Sequence, residues 1–183
     1  MSTIGFDTSN YTTSTAWTDG KTDINVRQIL YVKDGERGIR QSDGVFQHMK
    51  LMPVMYEKLS EQIDFKDVKA VGVSTRPRCV EGSYMPVFLA GEGYAKVVAN
   101  TLGVPLYEFS HQDGHIMAGI YSSGSFELLE NDFISVHLSG GTTEILKSRY
   151  NGFNFDNEIV GGSKDISAGQ FIDRVGVKMG LHF

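Results

Sequence analysis

Residues 2–32, STIGFDTSNYTTSTAWTDGKTDINVRQILYV, decide the fold class of this chain. They contain three runs of strand-forming residues, Ser2–Asp7, Thr12–Thr18 and Asp23–Val32, which are separated by short polar turns. One of these turns contains Asp19-Gly20, a dipeptide typical of β-hairpins. Strands joined by such short turns pair with their neighbours in an antiparallel meander. The sequence therefore predicts a sheet that begins with three antiparallel strands.

Helical and strand patterns alternate along the rest of the chain. Helical spacing of apolar residues predicts the helices Gln41–Ile63, Gly82–Leu102, Ser110–Ile120 and Asp165–Met179. Shorter apolar runs predict the strands Val68–Ser74, Val104–Tyr107, Phe133–Leu138 and Glu144–Tyr150. We expect Pro53 to separate a short first helix, and Gly161-Gly162 to break the chain. This order is typical of an α/β fold of the ribonuclease-H-like group, with a mixed sheet and helices on both faces.

Length and composition exclude several classes of protein. The 183 residues suffice for one medium domain or two very small ones. No apolar run approaches the roughly 20 residues of a membrane helix, and the N-terminus lacks the pattern of a signal peptide. A net charge of -5 gives no global electrostatic reason to bind nucleic acid. The single cysteine, Cys79, rules out an internal disulfide and fits a reducing cytoplasm.

Two histidines lie four residues apart in the segment His111-Gln-Asp-Gly-His115, inside a predicted helix. Residues i and i+4 share one face of a helix, so both imidazoles can reach one metal ion. The same spacing also suits two surface or capping histidines, and two ligands do not complete a coordination shell. Asp113 points away from their face, and we expect it to be solvated. The segment predicts either part of a metal site or a pair of structural histidines.

Three further segments carry polar residues suited to ligand binding. In the turn Ser139–Thr143, SGGTT, glycines let backbone N–H groups approach phosphate oxygens, although a plain hairpin would use the same residues. Asp7, Thr8 and Ser9 end the first strand, where either a phosphate- and metal-binding loop or an ordinary turn fits. Asp173 lies two turns into the last predicted helix, where it either contacts a ligand or is solvated.

Taken together, these segments resemble the TsaD family, also called Gcp, Kae or Qri. Gly5–Thr13 is similar to the family's opening G-I-E-T-S-C-D-E-T. Val71–Arg78 and the predicted helix Gly82–Leu102 are similar to its segment G-P-G-…-L-x-x-G-x-x-x-A-K-x-L-A. Val104–Ala118 is similar to V-P-x-x-x-V-x-H-x-x-G-H-x-x-A, and His137–Leu146 to L-V-S-G-G-H-T-Q-L. Gly162–Leu181 is similar to G-x-T-x-D-D-A-A-G-E-A-F-D-K-V-x-x-x-L-G-L. These segments follow the family order over nearly the whole chain.

The resemblance implies a protein with two lobes of the ASKHA fold group, which includes actin, Hsp70 and sugar kinases. Residues 1–183 are then a single N-terminal lobe, with the second lobe absent from this chain, which ends just past a helix. The implied reaction transfers a threonylcarbamoyl group from threonylcarbamoyl-AMP to N6 of adenosine 37 in tRNAs that read ANN codons. The implied partners are tRNA and a TsaB-like protein, the implied location is the cytoplasm, and no membrane is involved.

The resemblance also implies roles for individual residues. His111 and His115 become ligands of one divalent metal ion, iron or zinc, together with an aspartate of the second lobe. His137 stands where some family members have a tyrosine ligand, and we expect it to be a further ligand. The residues implied to bind the adenine nucleotide, threonylcarbamoyl-AMP or ATP, are Leu138, Ser139, Gly140, Gly141, Thr142 and Asp173. The residues implied to form the phosphate and metal loop are Asp7, Thr8 and Ser9.

The chain departs from the family pattern at several positions. The family's D-E is Tyr11-Thr12, its S-G-G-H-T has Thr142 in place of histidine, and its D-D-A-A-G-E has Ile166 and Gln170 in place of two carboxylates. A non-catalytic paralogue that binds metal and nucleotide as a partner module is therefore the alternative. A metallopeptidase, the older description of the family, ranks last because the segment lacks the glutamate of H-E-x-x-H.

A sugar kinase would share the fold, which by itself does not define the substrate. We expect residues 1–183 alone to be inactive in the transfer, because a cleft between two lobes needs both walls.

Overall fold

The computed structural model describes residues 1–33 and 38–181, which form two compact units. The first unit is Met1–His115, and the second begins at Ile116. The prediction that residues 1–183 make a single lobe of a larger protein is not tested by this division and stays a prediction.

The first unit is built on a mixed five-stranded sheet. Its strands are β1 (Ser2–Asp7), β2 (Thr12–Thr18), β3 (Asp23–Ile29), β4 (Val68–Arg76) and β5 (Leu106–Ser110). Their order across the sheet is β3-β2-β1-β4-β5. The β1–β2 and β2–β3 pairs are antiparallel, which confirms the predicted meander, whereas β1–β4 and β4–β5 are parallel. The register of β1 and β2 sets Gly5 opposite Ala16 and Asp7 opposite Ser14.

Two helices, α1 (Gln41–Ser60) and α2 (Phe88–Leu102), contact each other and pack on one face of this sheet. The buried core that joins sheet and helices comprises Ile4, Phe6, Met52, Leu59, Val68, Val71, Val73, Ala95 and Ala99. Alternate residues of β1 and β4 point into this core, as the two-residue period of a strand requires. The predicted mixed sheet with helices is confirmed. The expectation of helices on the opposite face as well stays a prediction.

Several boundaries in the first unit differ from the sequence prediction. Helix α1 runs through Pro53 without a break, so the prediction of a separate short helix is wrong. Its buried residues, among them Met52 and Met55, keep the helix in place on both sides of the proline. Helix α2 begins at Phe88, several residues after the predicted Gly82, because Pro86 precedes it. A short 3-10 helix, Phe65–Asp67, precedes β4.

The second unit contains a three-stranded antiparallel sheet, β6 (Phe133–Leu138), β7 (Thr143–Tyr150) and β8 (Phe155–Gly162). A short 3-10 helix, Phe126–Glu130, precedes the sheet, and helix α4 (Ala168–Lys178) follows it. The sequence does not predict strand β8, and the expected break at Gly161-Gly162 is wrong. In the structure these glycines pair with Ile145 and Glu144 of β7.

Helix α3 (His111–Ser123) begins in the first unit and continues into the second. Among the described helices, none has the length and apolar character needed to cross a membrane.

Candidate metal centre

The candidate site lies at one edge of the five-stranded sheet. Strands β1, β4 and β5 are parallel to one another, so their carboxyl ends lie at the same edge. β1 ends there with Asp7, β4 with Arg76, and β5 with Ser110, which is followed directly by His111. Open α/β sheets bind ligands at this edge. The topology therefore brings Asp7 and His111 together although 104 residues separate them.

His111 and His115 lie on one face of α3, as their spacing predicts, and their rings meet edge to face with centroids 4.2 Å apart. Their Nε2 atoms face each other at 2.8 Å. Two neutral imidazoles make such a contact only when one Nε2 carries a proton and the other offers its lone pair. The ring of His111 also lies against that of Phe88, at a centroid distance of 6.2 Å.

Asp7 connects the end of β1 to this histidine pair. Its Oδ2 lies 2.9 Å from Nδ1 of His111. Its Oδ1 accepts hydrogen bonds from the backbone N–H of Ser9, at 2.8 Å, and from the Ser9 hydroxyl. Burial alone would raise the pKa of Asp7, but its interactions with His111 and hydrogen bonds from Ser9 and Ser74 lower it to about 2. The carboxylate is therefore ionised at neutral pH.

The three residues predicted as a phosphate and metal loop have different surroundings. Asp7 contacts the histidine pair, and Ser9 contacts Asp7. Thr8 is fully buried: its hydroxyl donates to the Val87 carbonyl at 2.8 Å and accepts from the Gly91 N–H at 3.1 Å. Thr8 thereby fastens the loop to the start of α2. Whether these residues bind phosphate is untested and stays a prediction.

His48, which the sequence analysis did not select, holds the far side of the same loop. It is fully buried in α1, with Nδ1 2.8 Å from the Thr13 hydroxyl and Nε2 3.2 Å from the Asn10 carbonyl. Asn10 has a φ of 51°, a left-handed conformation that asparagine tolerates better than most residues. Burial lowers the pKa of His48 below its usual value of 6.5, against the opposing effects of the Asn10 carbonyl and of Asp7. The sequence signal that could have identified His48 is a polar residue on the otherwise apolar face of a predicted helix.

The prediction that Asp113 is solvated is wrong. Its carboxylate is buried and accepts hydrogen bonds from the backbone N–H of Ser110 at 2.9 Å and from the Ser110 hydroxyl at 2.6 Å. The Ser110 hydroxyl in turn lies 3.0 Å from the Asp113 N–H. This reciprocal arrangement is a capping box in which Ser110 is the N-cap of α3. A further bond, from the Gln112 N–H to the Pro77 carbonyl at 3.0 Å, fixes the first turn of α3 against the chain after β4.

The glycine turn of the second unit is held against the start of α4. The Ser139 hydroxyl accepts from the N–H groups of Gly141 and Thr142, at 3.3 and 2.9 Å. Ser167 is the N-cap of α4, and its hydroxyl donates to the Gly140 carbonyl at 2.7 Å. Gly169 approaches so closely that an added Cβ would lie 2.6 Å from the Ser139 carbonyl oxygen.

The remaining predicted site residues also lie in the second unit. Leu138, the last residue of β6, is 60% exposed, and Asp173 is exposed on α4. His137 is paired in register with Glu144 across the sheet. The nucleotide-binding role of the turn and Asp173, and the metal-binding role of His137, are not tested by these positions and stay predictions.

The donor atoms of His111 and His115 fit part of a metal site. Their Nε2 atoms lie 2.8 Å apart, and imidazole nitrogen is a usual ligand for zinc and iron. Over residues 1–33 and 38–181, however, no three side chains of His, Cys, Asp or Glu are grouped so that they could hold one ion. The described part of the chain therefore offers two candidate ligands, whose metal-binding role stays a prediction, and a full coordination shell needs others.

Residues 36–183 match the family TsaD, tRNA N6-adenosine threonylcarbamoyltransferase. The chain belongs to this family. It is 30% identical over 135 residues to the tRNA N6-adenosine threonylcarbamoyltransferase of Christiangramia forsetii, covering 73% of this chain and 37% of that protein. It is 28% identical over 183 residues to the protein of the same name from Pyrobaculum calidifontis, covering 98% and 50%. The chain thus spans from about a third to half the length of these family members.

Solved structures confirm the predicted fold group. EutJ, an ethanolamine utilization protein from Carboxydothermus hydrogenoformans, superposes with a TM-score of 0.54 at 16% identity, over 100% of this chain and 58% of EutJ. YeaZ from Pseudomonas aeruginosa superposes with a TM-score of 0.50 at 11% identity, over 89% of this chain and 66% of YeaZ. At these identities the likeness concerns the fold alone, which is of the actin-like ASKHA type.

Proposed function

We propose that this chain is the metal-binding part of a tRNA N6-adenosine threonylcarbamoyltransferase, which transfers threonylcarbamoyl from threonylcarbamoyl-AMP to adenosine 37 of tRNA. Membership of the family supports the reaction, because its members carry that name. The observation that carries the proposal is the convergence of His111 and His115 at the ligand-binding edge of the sheet, with their Nε2 atoms 2.8 Å apart. A pure scaffold has no need for such a pair.

In this proposal the chain's own residues orient the reacting groups. His111 and His115 hold a divalent ion, iron or zinc, and a bound ion would polarise the carbamoyl carbonyl and hold the phosphate of the adenylate. Asp7 stays ionised beside them and keeps the pair in place. Leu138, Gly140, Gly141 and the other residues of the glycine turn would contact the nucleotide, with Asp173 toward its ribose.

We place this chemistry in the cytoplasm, with tRNA as substrate and a TsaB-like protein as partner. Support for a protein partner comes from apolar side chains that stay exposed on α1 and α2. They are Phe46, Met49, Val54, Leu89 and Val97, which are between 43% and 64% exposed. Exposed apolar side chains of this kind are used in protein interfaces where they form one contiguous patch.

A second candidate function is a non-catalytic paralogue that binds metal and nucleotide. The chain between Thr8 and Thr13 carries no carboxylate, and the exposed side chain at position 11 is a tyrosine. The family's opening motif has two acidic residues there. Likewise the first turn of α4 contains no acidic residue. This candidate predicts metal binding without transfer.

Reconstituted transfer to tRNA distinguishes the two candidates. The assay uses the full-length protein that contains this chain, with threonylcarbamoyl-AMP and a tRNA that reads an ANN codon. We expect modified adenosine with the wild type, and loss of most of it with His111→Ala or His115→Ala. Asp132→Asn is the control, because Asp132 lies in a surface ion pair with Lys147. Metal binding with no transfer by the wild type would favour the paralogue, and transfer unaffected by the histidine variants would contradict the proposal.

A further inference from the structure

Asp7 contacts His111 at a different ring nitrogen from the one that contacts His115. Its Oδ2 lies against Nδ1 of His111, the ring nitrogen opposite the one that faces His115. Its Oδ1 is already engaged by the backbone N–H and the hydroxyl of Ser9. Both carboxylate oxygens therefore have partners within the chain, and the partner of Oδ2 is Nδ1 and not Nε2 of His111.

We infer that Asp7 is a positioning residue that holds the proton of His111 on Nδ1, so that Nε2 presents its lone pair toward His115 and toward a metal ion. An ionised carboxylate only accepts hydrogen bonds, so the hydrogen between Asp7 and His111 belongs to the imidazole. With Nδ1 protonated, a neutral His111 has its free lone pair on Nε2. Metal-ligating histidines usually have such a partner on the other ring nitrogen, which fixes both tautomer and ring orientation.

The fold holds Asp7 rigidly enough for this role. Asp7 pairs with Ser14 of β2 in the register of the sheet. The next residue, Thr8, is fastened to α2 through the Val87 carbonyl and the Gly91 N–H. A carboxylate attached to a paired strand on one side and to a buried threonine on the other has little freedom to swing away from His111.

His111 is fixed from its own side. It is the first residue of α3, directly after the capping box of Ser110 and Asp113. The bond from the Gln112 N–H to the Pro77 carbonyl anchors the same turn, and Phe88 lies against the ring. The 2.9 Å contact between Asp7 and His111 thus joins two independently anchored elements, which is what a tautomer-setting hydrogen bond requires.

The tautomer can be measured on the full chain without any metal. Two-bond nitrogen–proton correlation spectra of the imidazoles distinguish a proton on Nδ1 from one on Nε2. We expect His111 of the wild type to carry its proton on Nδ1, and to lose that preference in Asp7→Ala. Ser9→Ala is the matched control, because it removes a partner of the other oxygen, Oδ1, and leaves the contact to His111 intact. We expect it to keep the wild-type tautomer.

The consequence for metal binding rests on the proposed function and is tested separately by titration with zinc. We expect Asp7→Ala to weaken zinc binding about 10- to 100-fold, as loss of a carboxylate partner of a ligating histidine usually does. Asp132→Ala, which removes a surface carboxylate, should leave zinc affinity unchanged. Because the tautomer is read in metal-free protein, failure of the wild type to bind zinc would count against the proposed function and not against the role of Asp7.

Two results would overturn the inference. One is a wild-type His111 with its proton on Nε2, which needs no variant and so does not depend on whether Asp7→Ala folds. The other is an oxygen ligand in the X-ray absorption spectrum of the zinc-loaded wild type that disappears in Asp7→Ala, since Asp7 would then contact the metal itself.

Discussion

Replacing His48 with alanine should destabilise the first unit and loosen the loop that carries Asp7. His48 is fully buried between α1 and this loop, and both ring nitrogens have partners. Nε2 donates to the Asn10 carbonyl, and Nδ1 then accepts from the Thr13 hydroxyl. Alanine leaves the buried Thr13 hydroxyl and the Asn10 carbonyl without these partners.

The expected loss of stability follows from these two contacts. A buried polar group left without its partner costs about 1–3 kcal/mol. Two such groups cost about 2–6 kcal/mol by the same rule, before any contribution from the cavity that alanine creates. A domain of this kind is stable by about 5–15 kcal/mol, so the variant should still fold at low temperature but with a much smaller margin.

Urea-induced unfolding of the full chain measures this change. Met49→Ala, at a half-exposed position of the same helix, is the matched control and should cost much less. A double-mutant cycle of His48→Ala with Thr13→Val should show a coupling of about 0.5–3 kcal/mol, because the two side chains are in direct contact. A loss below about 1 kcal/mol for His48→Ala, or no coupling to Thr13, would refute the reasoning.

Two further predictions concern pH and the glycine turn. Folding lowers the pKa of His48 below 6.5, so the unfolded chain binds a proton at this residue more readily than the folded chain. The contribution of His48 to the free energy of unfolding should therefore decrease as pH falls below 6.5 and level off below the folded pKa. Urea titrations at each pH would measure this decrease, which should be lost in His48→Gln. In the second unit, Gly169→Ala forces a Cβ to within 2.6 Å of the Ser139 carbonyl oxygen, and it should cost about 1–3 kcal/mol in thermal unfolding. At Gly93, a helical position, an added Cβ has no atom within 4 Å, so Gly93→Ala should instead stabilise the protein by about 0.5–1 kcal/mol. Similar effects of the two substitutions on stability would contradict the close packing of the glycine turn on α4.

The histidine pair was predictable from sequence because a helix places residues four apart on one face. The contact between His111 and Asp7 was not predictable from local sequence, because the two residues are 104 positions apart. They meet only through the parallel pairing of β1, β4 and β5. Local spacing contains no information about which strands become neighbours. The resemblance to a family placed both residues in the site, but it did not supply their contact.

The errors at Asp113 and β8 have different physical causes. Ser110 and Asp113 stand three residues apart at a helix start, which is a capping signal that could have been used. Strand β8 has glycines and acidic residues that disfavour an isolated strand, and its pairing with β7 overrides that local preference. Pro53 is a similar case, since buried side chains of α1 on both sides keep the helix continuous.

Elemental analysis of the purified chain, wild type beside a His111→Ala/His115→Ala double variant, tests the central claim most directly. The account predicts iron or zinc at near-stoichiometric amount in the wild type after reconstitution, and its loss in the double variant, with both proteins folded. Metal retained by the double variant would place the ion elsewhere. No metal in the wild type, even in a protein extended to the full length of the family, would contradict the assignment of this histidine pair as a metal centre.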